Sequence, residues 1–123
     1  MYKLNVTDSF SAAHRLLGYD GACQNLHGHN YKIRISINCR ELDEIGLALD
    51  YKVIKTALAG VLDELDHAYL NDVPALAGIN PTSENLARYI FEQMSRAISK
   101  PGASVNEVEI YESEKSSVIY TRD

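Results

Sequence analysis

From Tyr31 to Cys39 apolar and polar residues alternate without a break, with Tyr31, Ile33, Ile35, Ile37 and Cys39 on one side and Lys32, Arg34, Ser36 and Asn38 on the other. Successive side chains of a strand point to opposite faces, so this run predicts a strand with one face in a core and the other wet or charged.

Tyr2, Leu4, Val6, Phe10 and Ala12 repeat the same period near the start of the chain, and His14 falls on their even-numbered face. From Asp50 the period changes. Val53, Ile54, Ala57, Leu58, Val61, Leu62 and Leu65 recur at three and four residues, and Asp50 is placed to cap this amphipathic helix. A second helix follows "NPTSEN", where Pro81 stops the preceding chain, Thr82 or Ser83 caps, and Leu86, Ile90, Phe91, Met94, Ala97 and Ile98 form the buried stripe. It should end before Pro101-Gly102. Val108 and Ile110, then Val118 and Tyr120, close the chain as two short strands joined by the polar "ESEKSS".

The order ββααββ predicts an α+β fold, an antiparallel sheet of about four strands with both helices on one face. A chain of 123 residues fits one domain, 1–123, and buries roughly 65% of its unfolded surface. Open sheet edges are usually covered or paired, so a homo-oligomer is expected, closing into an intersubunit barrel.

Composition excludes several classes. The net charge of -5, with no basic cluster, argues against nucleic acid, whose general affinity comes from Lys and Arg neutralising phosphates. No apolar run approaches the ~18 to 20 residues that span a bilayer, and "MYKLNVTDSF" lacks the pattern of a signal peptide, so no membrane and a cytoplasmic location are expected. Two cysteines, Cys23 and Cys39, are too few for a disulfide scaffold. Cys39 continues the apolar row of its strand and needs no further role.

The stretch "CQNLHGHNY" concentrates the chemistry. Residues two apart on extended chain project to one side, so His27 and His29 can meet one ion, with Gly28 removing bulk between them. If the first two strands form a hairpin around the loop from Arg15 to Leu26, His14 supplies a third imidazole. Three neutral imidazoles with an open fourth position is the pattern of catalytic rather than structural zinc. Cys23 would close the site as a fourth ligand, or lie beside the ion as an activated base; spacing does not choose.

Two further features stand out. Asp66-His67 sets a carboxylate next to an imidazole, and these can pair only where the backbone has left helical geometry; otherwise they form a solvated helix end. Glu112 continues the apolar row of Val108 and Ile110, so either the strand has ended there or the carboxylate meets a ligand with hydrogen-bond donors.

Taken together, "FSAAHRL", "CQNLHGHNY", "LDYKVIK", "LDHAYLND" and "NPTSENLARYI", with Glu112 near the end, resemble the 6-pyruvoyltetrahydropterin synthase / 6-carboxytetrahydropterin synthase family over nearly the whole chain. The resemblance implies the tunnelling fold and a zinc lyase acting on 7,8-dihydroneopterin triphosphate. It implies His14, His27 and His29 as Zn2+ ligands, Cys23 as general base outside the metal's shell, and Asp66 and His67 as a proton-transfer dyad. Glu112 matches the carboxylate that binds the pterin edge, and Thr82, Ser83 and Glu84 match the lining of the pterin pocket. It also implies a hexamer, a dimer of trimers, with active sites between subunits.

Within the family, Cys-x-x-x-His-Gly-His resembles the bacterial queuosine-pathway enzyme, which yields 6-carboxy-5,6,7,8-tetrahydropterin, acetaldehyde and triphosphate. The biopterin-pathway enzyme, which only eliminates triphosphate, usually has a longer gap after the cysteine. A branch serving folate synthesis carries glutamate in place of Cys23. A reading from another class is a non-catalytic pterin-binding zinc protein, in which Cys23→Ala would change no conversion. Arg15, Lys32 and Lys115 are candidates by charge for holding the triphosphate.

Overall fold

The computed structural model describes residues 1–18, 21 and 24–123. Strands β1 (Tyr2–His14) and β2 (His27–Cys39) pair antiparallel in one unbroken register, from Tyr2 opposite Cys39 to His14 opposite His27. The perfect alternation of β2 is explained by where it lies: it is the central strand, and Tyr31, Ile33, Ile35 and Ile37 are each fully buried.

Helix α1 (Tyr51–Asp63) begins where Asp50 accepts a hydrogen bond from the Lys52 N–H at 2.9 Å. It buries Ile54, Leu58 and Leu62, a narrow stripe at spacing four. Val53, expected on that stripe, is 49% exposed: it stands about 100° around the helix from Ile54, off the narrow buried row. After α1 the chain adds a two-residue strand, β3 (Ala68–Tyr69), parallel to β1 at Ala12 and Ala13. Two residues carry no readable period, so this strand has no signature in the sequence. Two single-turn 3-10 helices, Leu70–Asp72 and Pro74–Leu76, lead on to α2 (Ser83–Ala97).

Thr82 rather than Ser83 is the cap of α2, accepting from the Asn85 N–H at 3.1 Å. The helix buries Leu86, Ala87, Ile90, Phe91 and Met94; Ala97, at its final residue, is exposed. Each such large side chain taken out of water contributes about 1.5–3 kcal/mol. Strands β4 (Ala103–Ser113) and β5 (Ser116–Tyr120) complete the sheet in the order β3-β1-β2-β4-β5. Helix α1 packs on β1, α2 packs on β4 and β5, and the two helices touch each other.

The pairing of β4 slips twice. Ile37 faces Val105 while Ser36 faces Glu107, which leaves Asn106 as an extra residue. On the β5 side Tyr111 pairs with Ser117 and Ser113 with Ser116, which leaves Glu112 extra in the same way. Such bulges re-aim side chains, and the second falls on the carboxylate that broke the apolar row. The opposite face of the sheet is polar: Arg34 pairs with Glu107 and, at 3.0 Å, with Glu109, and donates to Asn5 at 3.2 Å. Among the described residues no helix is long and apolar enough to cross a membrane.

Candidate metal centre and active site

The register of the β1–β2 hairpin builds the centre. Opposed residues of an antiparallel pair share a face, so His14 opposite His27, and His29 opposite Ala12, put three imidazoles on the helix side at one end of the sheet. Their ring centroids lie 4.5 Å (His14–His27), 5.2 Å (His14–His29) and 4.7 Å (His27–His29) apart. Gly28 is not required by space there, since a Cβ would meet the Ala12 oxygen at 3.6 Å, an ordinary contact.

Two of the rings are oriented by main-chain groups that the sequence does not announce. His14 Nδ1 lies 2.7 Å from the Pro81 carbonyl oxygen, and His27 Nδ1 lies 2.7 Å from that of Asn25. A carbonyl only accepts, so both rings carry their proton on Nδ1 and present a bare Nε2. Those two Nε2 atoms stand 3.0 Å apart. Two lone pairs facing each other at that distance have no hydrogen between them to share; two ligands of one tetrahedral ion bound at ~2.0–2.1 Å would lie roughly 3.3 Å apart.

His29 supplies the third nitrogen. Its Nε2 is 2.9 Å from Glu112 Oε1, but not aligned as a hydrogen bond, and among the described residues this buried atom has no hydrogen-bond partner. One ligand atom from each of His14, His27, His29 and Glu112 fall together within 4.8 Å of one another. The donor set fits a metal ion, and this His/Glu cluster is able to bind one.

Burial disfavours the charged form of His14 and His29. Removal from water holds His14 below the ordinary imidazole value; the Pro81 carbonyl opposes this, His27 reinforces it, and Glu112 opposes it. His29 is likewise lowered, by burial first, with Glu112 opposing and the other two histidines reinforcing. Tyr31, stacked on Phe10 at 4.8 Å, places its hydroxyl 3.2 Å from His14 Nδ1, and burial with the nearby Glu112 raises its pKa.

The remaining expected site residues fall as follows. Ser83 Oγ donates to Glu112 Oε2 at 2.6 Å, so the first residue of α2 touches the carboxylate while Thr82 caps the helix. Glu84 is exposed in the first turn of α2. Glu112 also lines a cleft of ≈ 690 Å³ with Asp8, His29, Tyr31 and Lys32. Cys23 lies outside the described residues. Arg15 and Lys115 are exposed, and Lys32 Nζ sits 5.5 Å from the Tyr111 ring centroid.

Asp66 and His67 do pair, Oδ2 to Nδ1 at 3.0 Å. This is feasible because α1 has ended and His67 takes the left-handed φ of 57°, a conformation uncommon outside glycine. Asp66 Oδ1 accepts from the Ser11 N–H at 3.0 Å, and that bond, followed by the one to His67, holds the carboxyl below its ordinary range. His67 and His29 line one cleft of ≈ 510 Å³ at the β1 edge.

Sheet order, two helices on one face and a three-histidine cluster at the end of the central hairpin define a tunnelling-fold protein with a candidate metal centre. The chain belongs to the 6-pyruvoyl tetrahydropterin synthase family, whose model matches residues 3–123. It is 37% identical over 123 residues to a 6-pyruvoyl tetrahydrobiopterin synthase of Dictyostelium discoideum, covering 90% of this chain and 89% of that protein. It is also 37% identical over 117 residues to a 6-carboxy-5,6,7,8-tetrahydropterin synthase of Synechocystis sp., covering 91% of this chain and 87% of that protein. Among solved structures, the 6-pyruvoyl tetrahydropterin synthase of Caenorhabditis elegans superposes with a TM-score of 0.88 at 33% identity, covering 99% of this chain and 96% of that one.

Proposed function

We propose that this chain is a single-domain zinc-dependent lyase that converts 7,8-dihydroneopterin triphosphate into 6-carboxy-5,6,7,8-tetrahydropterin, acetaldehyde and triphosphate. The observation that carries the metal-dependent reading is the convergence of three imidazole nitrogens, two of them bare and 3.0 Å apart, beside a carboxylate. Bound by His14, His27 and His29, zinc supplies Lewis acidity toward the hydroxyls of the substrate side chain.

The chain's own residues do the rest. Glu112, an acceptor-only carboxylate, binds the pterin's 2-amino and ring N–H edge through charge-assisted hydrogen bonds. Ser83 holds one of its oxygens. Thr82 and Glu84 belong to the same pocket wall. Cys23, four residues before His27, takes a proton from the side chain as general base, and Asp66 orients His67 to complete the transfer. Glu112 stands both beside His29 and in the wall of a cleft, which supports a pterin ring lying next to the centre.

The carboxy product is favoured by the three-residue gap between Cys23 and His27. The relative from Dictyostelium favours the second reading, 6-pyruvoyl formation by triphosphate elimination. Incubation of the zinc-loaded protein with dihydroneopterin triphosphate separates them: acetaldehyde in step with triphosphate supports the first, and triphosphate with a 6-pyruvoyl product installs the second. No conversion at all returns the chain to pterin binding without catalysis.

Assembly into a homo-oligomer, a dimer of trimers with sites between subunits, is part of the proposal. Its support is that β3 covers only Ala12 and Ala13 of β1, and that β5 ends the sheet on the other side. Both edges offer unpaired backbone groups to a neighbour. A molar mass near six chains by light scattering is the expected result.

A further inference from the structure

The strand that carries His14 ends at His14, yet its edge stays paired beyond it. Alternate residues of a strand turn their N–H and C=O groups toward the same edge, and here Ser11, Ala13, Arg15 and Leu17 are each met in turn. The Ser11 N–H donates to Asp66 Oδ1 at 3.0 Å and its carbonyl accepts from the His67 N–H at 2.6 Å. Ala13 is paired with Tyr69 of β3.

From there side chains replace main chain. The Arg15 N–H donates to Asn71 Oδ1 at 2.9 Å and the Arg15 carbonyl accepts from Asn71 Nδ2 at 3.0 Å. Two residues on, the Leu17 N–H donates to Asn80 Oδ1 at 2.9 Å and the Leu17 carbonyl accepts from Asn80 Nδ2 at 3.1 Å. A carboxamide offers an acceptor and a donor side by side, as a peptide group does, so each asparagine acts as one residue of an absent strand.

Both asparagines sit on anchored backbone. Asn71 follows Leu70, which is fully buried. Asn80 directly precedes Pro81, whose carbonyl orients the His14 ring at 2.7 Å, and its own carbonyl accepts from Asn85 Nδ2 at 2.9 Å and from the Thr82 N–H at 2.8 Å. The Asn80 link therefore ties the main chain just after His14 to the residue directly before the carbonyl that sets its ring.

We propose that Asn71 and Asn80 are positioning residues of the metal centre, continuing the β1 edge past His14 so that its Nε2 is fixed at the point where the three imidazoles meet. This rests on reading the histidine cluster as a metal site. Groups that orient a ligand typically cost ~10–100-fold in metal affinity when removed. Asn80 should show the larger effect, because it directly precedes Pro81, whose carbonyl touches the His14 ring.

The test is titration of the metal-free, full-length protein with Co2+, reading affinity and visible absorption below the unfolding temperature. Wild type, Asn71→Ala, Asn80→Ala and, as a control for general destabilisation, Leu58→Ala are compared. The expected result is Co2+ binding ~10–100-fold weaker in Asn80→Ala, with a changed absorption envelope, a smaller change in Asn71→Ala, and wild-type affinity and spectrum in Leu58→Ala. Should Asn80→Ala not fold, Asn80→Asp keeps the acceptor for the Leu17 N–H but sets an oxygen against the Leu17 carbonyl, and weakened Co2+ binding is again expected. Variants that melt earlier yet bind Co2+ with wild-type affinity and spectrum would overturn the proposal. A wild-type protein that binds no Co2+ would overturn the metal reading itself, and this inference with it.

Discussion

His14 and His27 face each other across the first hairpin with their Nε2 atoms 3.0 Å apart, each ring having its Nδ1 committed to a main-chain carbonyl. Without an ion between them this is two lone pairs held together, which the fold tolerates because the hairpin register and two carbonyls fix the rings independently.

Removing either partner should therefore remove the metal. His27→Ala and His14→Ala are expected to lose metal content by more than the ~10–100-fold that orienting groups cost, as read by elemental analysis after dialysis. Metal-free stability should change to different extents: truncating buried His14 leaves a cavity and the Pro81 carbonyl unpaired, whereas His27 is only half-buried. The His14 variant should be the less stable in urea.

Glu112 is a different test, because it stands at the cluster and in the cleft wall at once. As the carboxylate for the pterin edge, its change to Gln should keep the metal and weaken substrate binding by about 1.5–3 kcal/mol, the worth of a charge-assisted hydrogen bond. That is roughly 10- to 150-fold in KM. Loss of metal in Glu112→Gln would instead make it a fourth ligand.

Cys23→Ala should retain zinc and the oligomer and lose turnover by about 10²- to 10⁴-fold, the usual contribution of a general base. Metal analysis, light scattering and the product assay on one preparation check all three. An unchanged rate would remove the cysteine from the mechanism.

Acidity should destabilise the metal-free protein before any carboxylate is reached. His14 and His29 resist protonation in the folded state, so below the ordinary imidazole value of about 6.5 the unfolded chain takes up protons that the native state does not. Stability then falls with decreasing pH, by at most about 1.4 kcal/mol per pH unit for each histidine, and is recovered above pH ~6.5. Urea midpoints from pH 5 to 8 should show this slope, and a His14→Gln/His29→Gln variant should flatten it. Metal should dissociate over the same window, since protons and metal compete for the same nitrogens.

The sequence alone determined the architecture and half of the site. Strict alternation in Tyr31–Cys39 fixed the central strand, and the change of period at Asp50 fixed the first helix, because side-chain direction follows backbone geometry over any run long enough to repeat. Parity put His14, His27 and His29 on one face, and it singled out Glu112 as a carboxylate in an apolar row. What it could not carry were contacts between residues far apart in the chain and features shorter than a period. Pro81 reaches His14 across 67 residues, and Asn80 meets Leu17 across 63. The bulge at Glu112, the two-residue β3 and the left-handed turn at His67 each occupy one or two positions. Only the folded chain brings these together, since hydrogen bonds to main-chain carbonyls depend on where the backbone passes and leave no mark on residue type.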